Sequence, residues 1–341
     1  MIDSVEKLTD VVLDGRDLTR EQTAEAFTGI MSGRLADAQI GRLLGALADK
    51  GETVDEIVGA AEVMRRHVTP IVCDNPNAVD TCGTGGDGIS TFNVSTAAAI
   101  VAAGAGACVA KHGNRTNTRK SGSAEVLQAL GVNIDATPDV VARCIREARI
   151  GFLFAAKLHP AMKHAAAARR QLGRRTIFNL LGPLTSPAGV QRQVVGVAQT
   201  DLMDKLAGVL QRLGTVRAFV VHGHDGLCDF TITSPSSYTE LRDGRLLRHT
   251  ITPEDLGLSP GPLDALRISA PAESADAIQA ILAGERGPRR DHALLNAAAT
   301  LVAADMAKDL HGGIQQAAAA IDSGAAAKTL DNLITITGTS V

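Results

Sequence analysis

Residues 80–104, "DTCGTGGDGISTFNVSTAAAIVAAG", decide the fold class. A short β-prone start runs into Gly83-Thr84-Gly85-Gly86-Asp87, a polar turn follows, and Ser95-Thr96 open an apolar, alanine-rich helix. Strand, glycine turn and helix in that order make one βα unit of an α/β domain. Glycines let backbone amides approach an anion, and hydroxyls at a helix start face the positive end of its dipole. The stretch is neither a Walker loop, since no Gly-Lys-Ser/Thr follows, nor a clean G-x-G-x-x-G. Taken alone it reads equally as a structural turn, so the flanking sequence has to decide.

Downstream, "KHGNRTNTRKSGSAEVL" (111–127) sets cations among hydroxyls and amides ahead of another helix. A charge run is commonly a solvated face. This one lies at a second strand-to-helix transition, where α/β proteins bind ligands. Two such loops on successive units suggest a ligand with two phosphate groups. Further runs, "QVVGVA" (193–198) and "RAFVVHG" (217–223), alternate with alanine-rich helical stretches. That alternation predicts a parallel or mixed sheet buried on both faces.

Upstream, residues 1–69 read as helices. Thr19-x-x-Gln22 and Thr53-x-x-Glu56 have capping-box spacing, with apolar residues at helical intervals behind them. "TPIVCDNPNA" (69–78) is linker chemistry. The predicted division is a small helical domain, 1–69, and an α/β domain, 70–341. The helical text within 157–182, around "HPAMKHAAAARRQLG", is expected to join the first domain in space.

Composition excludes several function classes. Net charge is −3, and the chain has no Trp and one Tyr, so it lacks both the basic field and the stacking rings of a nucleic-acid surface. No apolar run is long enough to span a bilayer, and the N-terminus lacks signal-peptide character. The five cysteines form no C-x-x-C pair, which points away from a disulfide framework and towards a cytoplasmic protein. No nucleic-acid or membrane partner is expected.

"GTGGDG", "NVST", "KHGNR", "SGSAEVLQALGV", "HPAMKH", "RRTIFNLLGPLTSP" and "VVHGHDGL" follow one another along the chain. In that order they resemble the anthranilate phosphoribosyltransferases of tryptophan biosynthesis, from end to end. The resemblance implies a nucleoside phosphorylase/phosphoribosyltransferase-like α/β fold, transfer of phosphoribosyl from phosphoribosyl pyrophosphate to anthranilate, Mg2+ and a homodimer. It places phosphoribosyl pyrophosphate on Gly83, Gly86, Asp87, Thr91, Asn93, Val94, Ser95 and Thr96. The second loop adds Lys111, His112, Gly113, Asn114, Arg115, Thr116, Asn117, Thr118, Arg119 and Ser123, with an electrostatic role for Lys111. It places anthranilate against Gly83, Asn114, His159 and Arg169, and magnesium on Ser95 and Asp229. His159 could equally order the turn before Pro160, and adjacent Arg169 and Arg170 point in different directions on a helix. No discrete acid or base is implied, because an aryl amine is already unprotonated at neutral pH. Two alternatives stay open: a paralogue with another acceptor or nucleoside phosphorylase chemistry, and a non-catalytic relative.

Three departures from the family pattern stand out. Cys228-Asp229 replaces the usual Asp-Glu metal pair, and a neutral thiol is a poor magnesium ligand. Thr118-Arg119 stands where two serines are usual, and Ala156 where proline is. Loss of a carboxylate beside gain of a cation leads to the expectation that Arg119 partly replaces a magnesium ion. His222 and His224 of "HGHDGLCDF" (222–230) then lie beside that pair, not in a zinc site.

Overall fold

The computed structural model describes residues 2–116 and 120–339. Four helices come first: α1 (Ile2–Leu13), α2 (Arg20–Met31), α3 (Asp37–Lys50) and α4 (Val54–Arg66). Both capping boxes form: the Thr19 and Thr53 hydroxyls accept from the Gln22 and Glu56 amides, and those side chains accept from the threonine amides. The α/β part then runs β1 (Val79–Gly83), α5 (Val94–Gly104), β2 (Val109–Gly113), α6 (Ser123–Ala129), α7 (Pro138–Glu147) and β3 (Ile150–Phe154). Next come α8 (Ala155–Leu158), α9 (Lys163–Leu172), α10 (Phe178–Leu181), β4 (Arg192–Gly196), α11 (Asp201–Arg212) and β5 (Arg217–Gly223). The hairpin β6 (Ser236–Arg242) and β7 (Arg245–Ile251) precedes α12 (Pro271–Leu282), α13 (Pro288–Ala303), α14 (Leu310–Asp322) and α15 (Ala325–Gly338). Among the described residues, no helix is long and apolar enough to cross a membrane.

The seven strands lie in the order β3-β2-β1-β4-β5-β6-β7. β3 through β5 are mutually parallel, and β6 and β7 are antiparallel, so the sheet is mixed. Alternation along the strands sends side chains to two separate cores. Val194, Phe219 and Val221 pack with α5 and α13. Val195, Ala218 and Val220 pack with α11 and with the first four helices, in one continuous cluster. Ala165 and Ala168 of α9 and Phe178 of α10 belong to that cluster too, and the Phe178 ring lies 5.5 Å from Phe27. The helical layer thus covers one sheet face, and chain from both ends of the 157–182 stretch helps to build it.

Strand order reverses at β1, with β2 on one side and β4 on the other. Ligands in open α/β sheets bind beyond the strand carboxyl ends at such a point. The glycine loop leaves β1 there.

His292 of α13 is fully buried with its ring edge-on to Phe92 at 5.9 Å, and neither ring nitrogen has a hydrogen-bond partner among the described residues. Burial holds it near pKa 4, below its ordinary value. The unfolded chain therefore binds the proton more readily, and stability is lost as pH falls from 6.5 towards 4. From pH 7 to pH 5 this group should cost about 2 kcal/mol. His292→Leu is expected to flatten that limb, as read from urea midpoints at the two pH values. An unchanged slope would contradict it.

Candidate active site

Beyond the carboxyl ends of the central strands lies a cleft of about 470 Å³. Four segments converge on it: the glycine loop with the start of α5, the β2–α6 loop, the stretch from α9 to just past α10, and the turn after β5. Gly83, Gly86, Asn93, Ser95, His112, Gly113, Asn114, Arg115, Thr116, Ser123, Arg169, Cys228 and Asp229 all line it. Asp87, Thr91, Val94, Thr96, Lys111 and His159 are not among the residues that line it. Asn117, Thr118 and Arg119 lie outside the described residues, and with them the expectation that Arg119 stands in for a metal.

The glycine loop is shaped for backbone exposure. Gly85 and Gly86 take φ of 63° and 91°, where an L side chain is strained. The α5 helix begins one residue earlier than the sequence suggests, because Asn93 is its cap: its side chain accepts from Thr96 N at 3.0 Å. Ser95 thus stands in the first turn of an 11-residue helix, where the dipole favours an anion.

Lys111 is almost fully buried behind Ser95 and donates from Nζ to Thr81 O (2.7 Å) and Ser95 Oγ (3.1 Å). Ser95 Oγ donates in turn to Asn93 Oδ1 (3.2 Å), which leaves it a lone pair for the cleft. Burial lowers the Lys111 pKa, and Asp80 opposes that shift. Asp80 accepts the His112 amide at 2.8 Å, while its other oxygen has no hydrogen-bond partner among the described residues. Burial raises its carboxyl to about 6 against the pull of Lys111. The sequence suggests only a turn role for Asp80. The structure makes it the counter-charge of the ammonium, a pairing visible only once β1 and β2 lie side by side.

His112 and His159 form a buried pair, Nε2 to Nε2 at 3.0 Å. Burial lowers both, to about 3 and about 4, so both are neutral at pH 7. His112 Nδ1 lies 3.1 Å from Gly182 O, and a carbonyl only accepts, so the proton is on Nδ1. His112 Nε2 is then the acceptor, and His159 donates to it. His159 is therefore a partner of His112, which lines the cleft.

Arg169 and Arg170 separate as helix geometry demands: Arg169 is half-buried and Arg170 exposed. The Arg169 guanidinium lies over the Phe178 ring at 5.1 Å, and no carboxylate pairs with it among the described residues. Arg175, Phe178, Asn179 and Pro183 line the cleft as well. The sequence reading singles out none of them, although all sit in or beside "RRTIFNLLGPLTSP". The motif was the signal; without its packing, no residue within it could be chosen.

Asp229 is placed by a tight backbone approach. The Cys228 carbonyl packs so closely on Gly196 that a Cβ there would lie 1.6 Å from it. The Cys228 amide donates to Asp87 Oδ2 (3.3 Å), and its thiol faces Gly85 O at 3.8 Å. His222 Nδ1 bonds to Val197 O and His224 Nε2 to Ser237 Oγ. Among the described residues, no group of three His, Cys, Asp or Glu side chains could hold a metal. The cleft nevertheless offers donors of the kind that magnesium takes. Ser95 and Asp229 are hard oxygen donors, and magnesium is commonly held by one or two protein ligands plus substrate phosphates.

Residues 75–327 match the glycosyl transferase family, a/b domain, and residues 7–68 its helical bundle domain. The chain is 53% identical over 326 residues to the anthranilate phosphoribosyltransferase of Anaeromyxobacter sp. (strain K), covering 96% of each. It is 51% identical over 322 residues to that of Symbiobacterium thermophilum, covering 94% of each. Its fold is similar to the anthranilate phosphoribosyltransferase of Thermus thermophilus, with TM-score 0.92, 38% identity, and 99% of this chain and 100% of that one covered. A Saccharomyces cerevisiae anthranilate phosphoribosyltransferase in complex with PRPP and Mg gives TM-score 0.89 at 26% identity, covering 98% of each.

Proposed function

The chain belongs to the anthranilate phosphoribosyltransferase family, and from that premise we propose that it joins the ribosyl C1 of phosphoribosyl pyrophosphate to the amine of anthranilate, releasing pyrophosphate. The observation that carries this reading is Arg169. Its guanidinium sits over an aromatic ring, with no carboxylate partner among the described residues, in the same cleft as a glycine loop and Asp229. A planar cation beside a ring suits an aromatic carboxylate, and the loop suits phosphate.

The residues then divide the work. Backbone amides of the glycine loop and the first turn of α5 bind phosphate oxygens. Lys111 fixes the Ser95 hydroxyl from behind and adds positive charge beneath the phosphates. Magnesium, held by Ser95 and Asp229, would neutralise charge on the departing pyrophosphate. Arg169 and Asn114 orient anthranilate, whose amine is unprotonated at neutral pH. His112, kept neutral and held by His159, walls the pocket without offering a competing cation. Catalysis comes from positioning and charge stabilisation. The same reading includes a homodimer formed through the helical layer and a cytoplasmic location.

Mixing the protein with phosphoribosyl pyrophosphate, magnesium and anthranilate should deplete anthranilate fluorescence. No depletion at high protein concentration would overturn the reading. Arg169→Gln is expected to raise the KM for anthranilate about 10- to 100-fold, the worth of a charged hydrogen bond. The KM for phosphoribosyl pyrophosphate should hardly move, and equal losses on both substrates would count against an acceptor role.

A further inference from the structure

The helix α13 carries one amide in the run "ALLNAAATLVA" (293–303), and it is buried. Asparagine is a poor helix former, and a buried amide is costly unless its donors and acceptor are matched. Asn296 turns both ends of its amide to a single residue outside its helix. Its Oδ1 accepts from Phe230 N at 3.2 Å, and its Nδ2 donates to Phe230 O at 2.8 Å. Nδ2 also donates to His292 O at 2.9 Å, within α13. Phe230 directly follows Asp229 in the chain. Asp229 lines the cleft, and Asn296 does not.

We propose, on the reading that Asp229 holds magnesium, that Asn296 is the positioning residue of that ligand and sets the direction in which its carboxylate enters the cleft. The Phe230 N–H lies in the peptide plane that begins at the Asp229 carbonyl, so holding it fixes rotation about the Asp229 Cα–C bond. Bonding the Phe230 carbonyl as well fixes the next plane. The Phe230 ring is anchored in the core, 6.2 Å from Phe219 and 5.2 Å from Tyr238. On the other side of Asp229, the Cys228 carbonyl packs tightly on Gly196 of β4. Asp229 thus stands between two clamped neighbours, which leaves its side chain little choice of direction. One turn before Asn296, on the same face of α13, His292 packs against Phe92, which precedes the Asn93 cap of α5. A single helix face therefore backs both segments that carry metal donors, Ser95 and Asp229. Partners one step behind a metal ligand commonly set its affinity, because they fix its orientation before the ion arrives.

The test is a double-mutant cycle read by Mn2+ binding in the presence of phosphoribosyl pyrophosphate, followed by electron paramagnetic resonance. In Asn296→Ser the hydroxyl can bond back to the His292 carbonyl, as serines within helices do, so that the Phe230 pair is what is lost. Mn2+ binding should weaken about 10-fold, with the KM for anthranilate unchanged. In an Asp229→Asn background the same substitution should add little, because the ligand it acts through is already gone. Thr300→Val is the control. It removes the bond from Thr300 Oγ1 to Asn296 O (2.8 Å) and should lower the melting temperature without moving Mn2+ binding. Should Asn296→Ser not fold, Asn296→Gln keeps the amide but sets it a methylene too far, and carries the same cycle. Wild-type Mn2+ binding in the Asn296 variant, independent losses from the two substitutions, or an equal loss in Thr300→Val would overturn the role of Asn296 and spare the metal reading. Mn2+ binding that Asp229→Asn leaves unchanged would overturn both.

Discussion

Replacing Lys111 with Met should lower folding stability by about 3–5 kcal/mol and abolish turnover. The ammonium is almost fully buried, and its removal would leave the Asp80 carboxylate alone in the same interior. Asp80 already sits near pKa 6 with the cation in place. A carboxyl whose folded pKa is raised gives stability that is present at low pH and lost as pH rises through that value. The variant should therefore be weakest above pH 6, in the range where the reaction would run. Asp80→Asn combined with Lys111→Met removes both charges and should recover most of the stability. It should not recover turnover, because nothing then fixes the Ser95 hydroxyl or lends charge to the phosphates. Urea midpoints at pH 6 and pH 8, set beside fluorescence-based turnover, separate these effects. A single variant as stable as the wild type would show that the two groups are not coupled.

The coupling of Lys111 to Asp80 also marks the limit of what the sequence discloses. Elements set by local chemistry are plain in it: the capping boxes at Thr19 and Thr53, the glycine turn after β1, and the hydrophobic strands at Arg192–Gly196 and Arg217–Gly223. The resemblance supplies the order of the motifs and a set of cleft residues. What stays hidden depends on contacts between distant segments. Asp80 and Lys111 lie 31 positions apart and meet because β1 and β2 are parallel neighbours. His159 looks like a substrate contact or a turn residue until its ring is seen on His112. Arg169 can be told from Arg170 only once α9 has been docked on the helical layer. A string records which groups are present, and the fold decides which of them are desolvated together.

Asp229→Asn should reduce kcat/KM by about 10²–10³-fold, comparable to losing one transition-state charge stabiliser, and should raise the magnesium needed for half-maximal rate. The substitution keeps the shape of the side chain and removes its charge, so the turn held by Cys228 on Gly196 should survive. Thermal melting near that of the wild type would confirm that the loss is chemical. Titration with Mn2+ in the presence of phosphoribosyl pyrophosphate, followed by electron paramagnetic resonance, reads the ion directly. Wild-type affinity in the variant would remove Asp229 from the metal site. Cys228→Asp makes the complementary case. Its side chain would inherit the place of a buried thiol that faces Gly85 O at 3.8 Å, so a carboxylate there would confront a carbonyl oxygen. Such a group is desolvated and repelled, and the variant should lose stability without gaining turnover. A sharp rise in turnover would instead mean that the thiol is a defect in the site. Failure of both expectations together would require a different account of how this turn holds the leaving group.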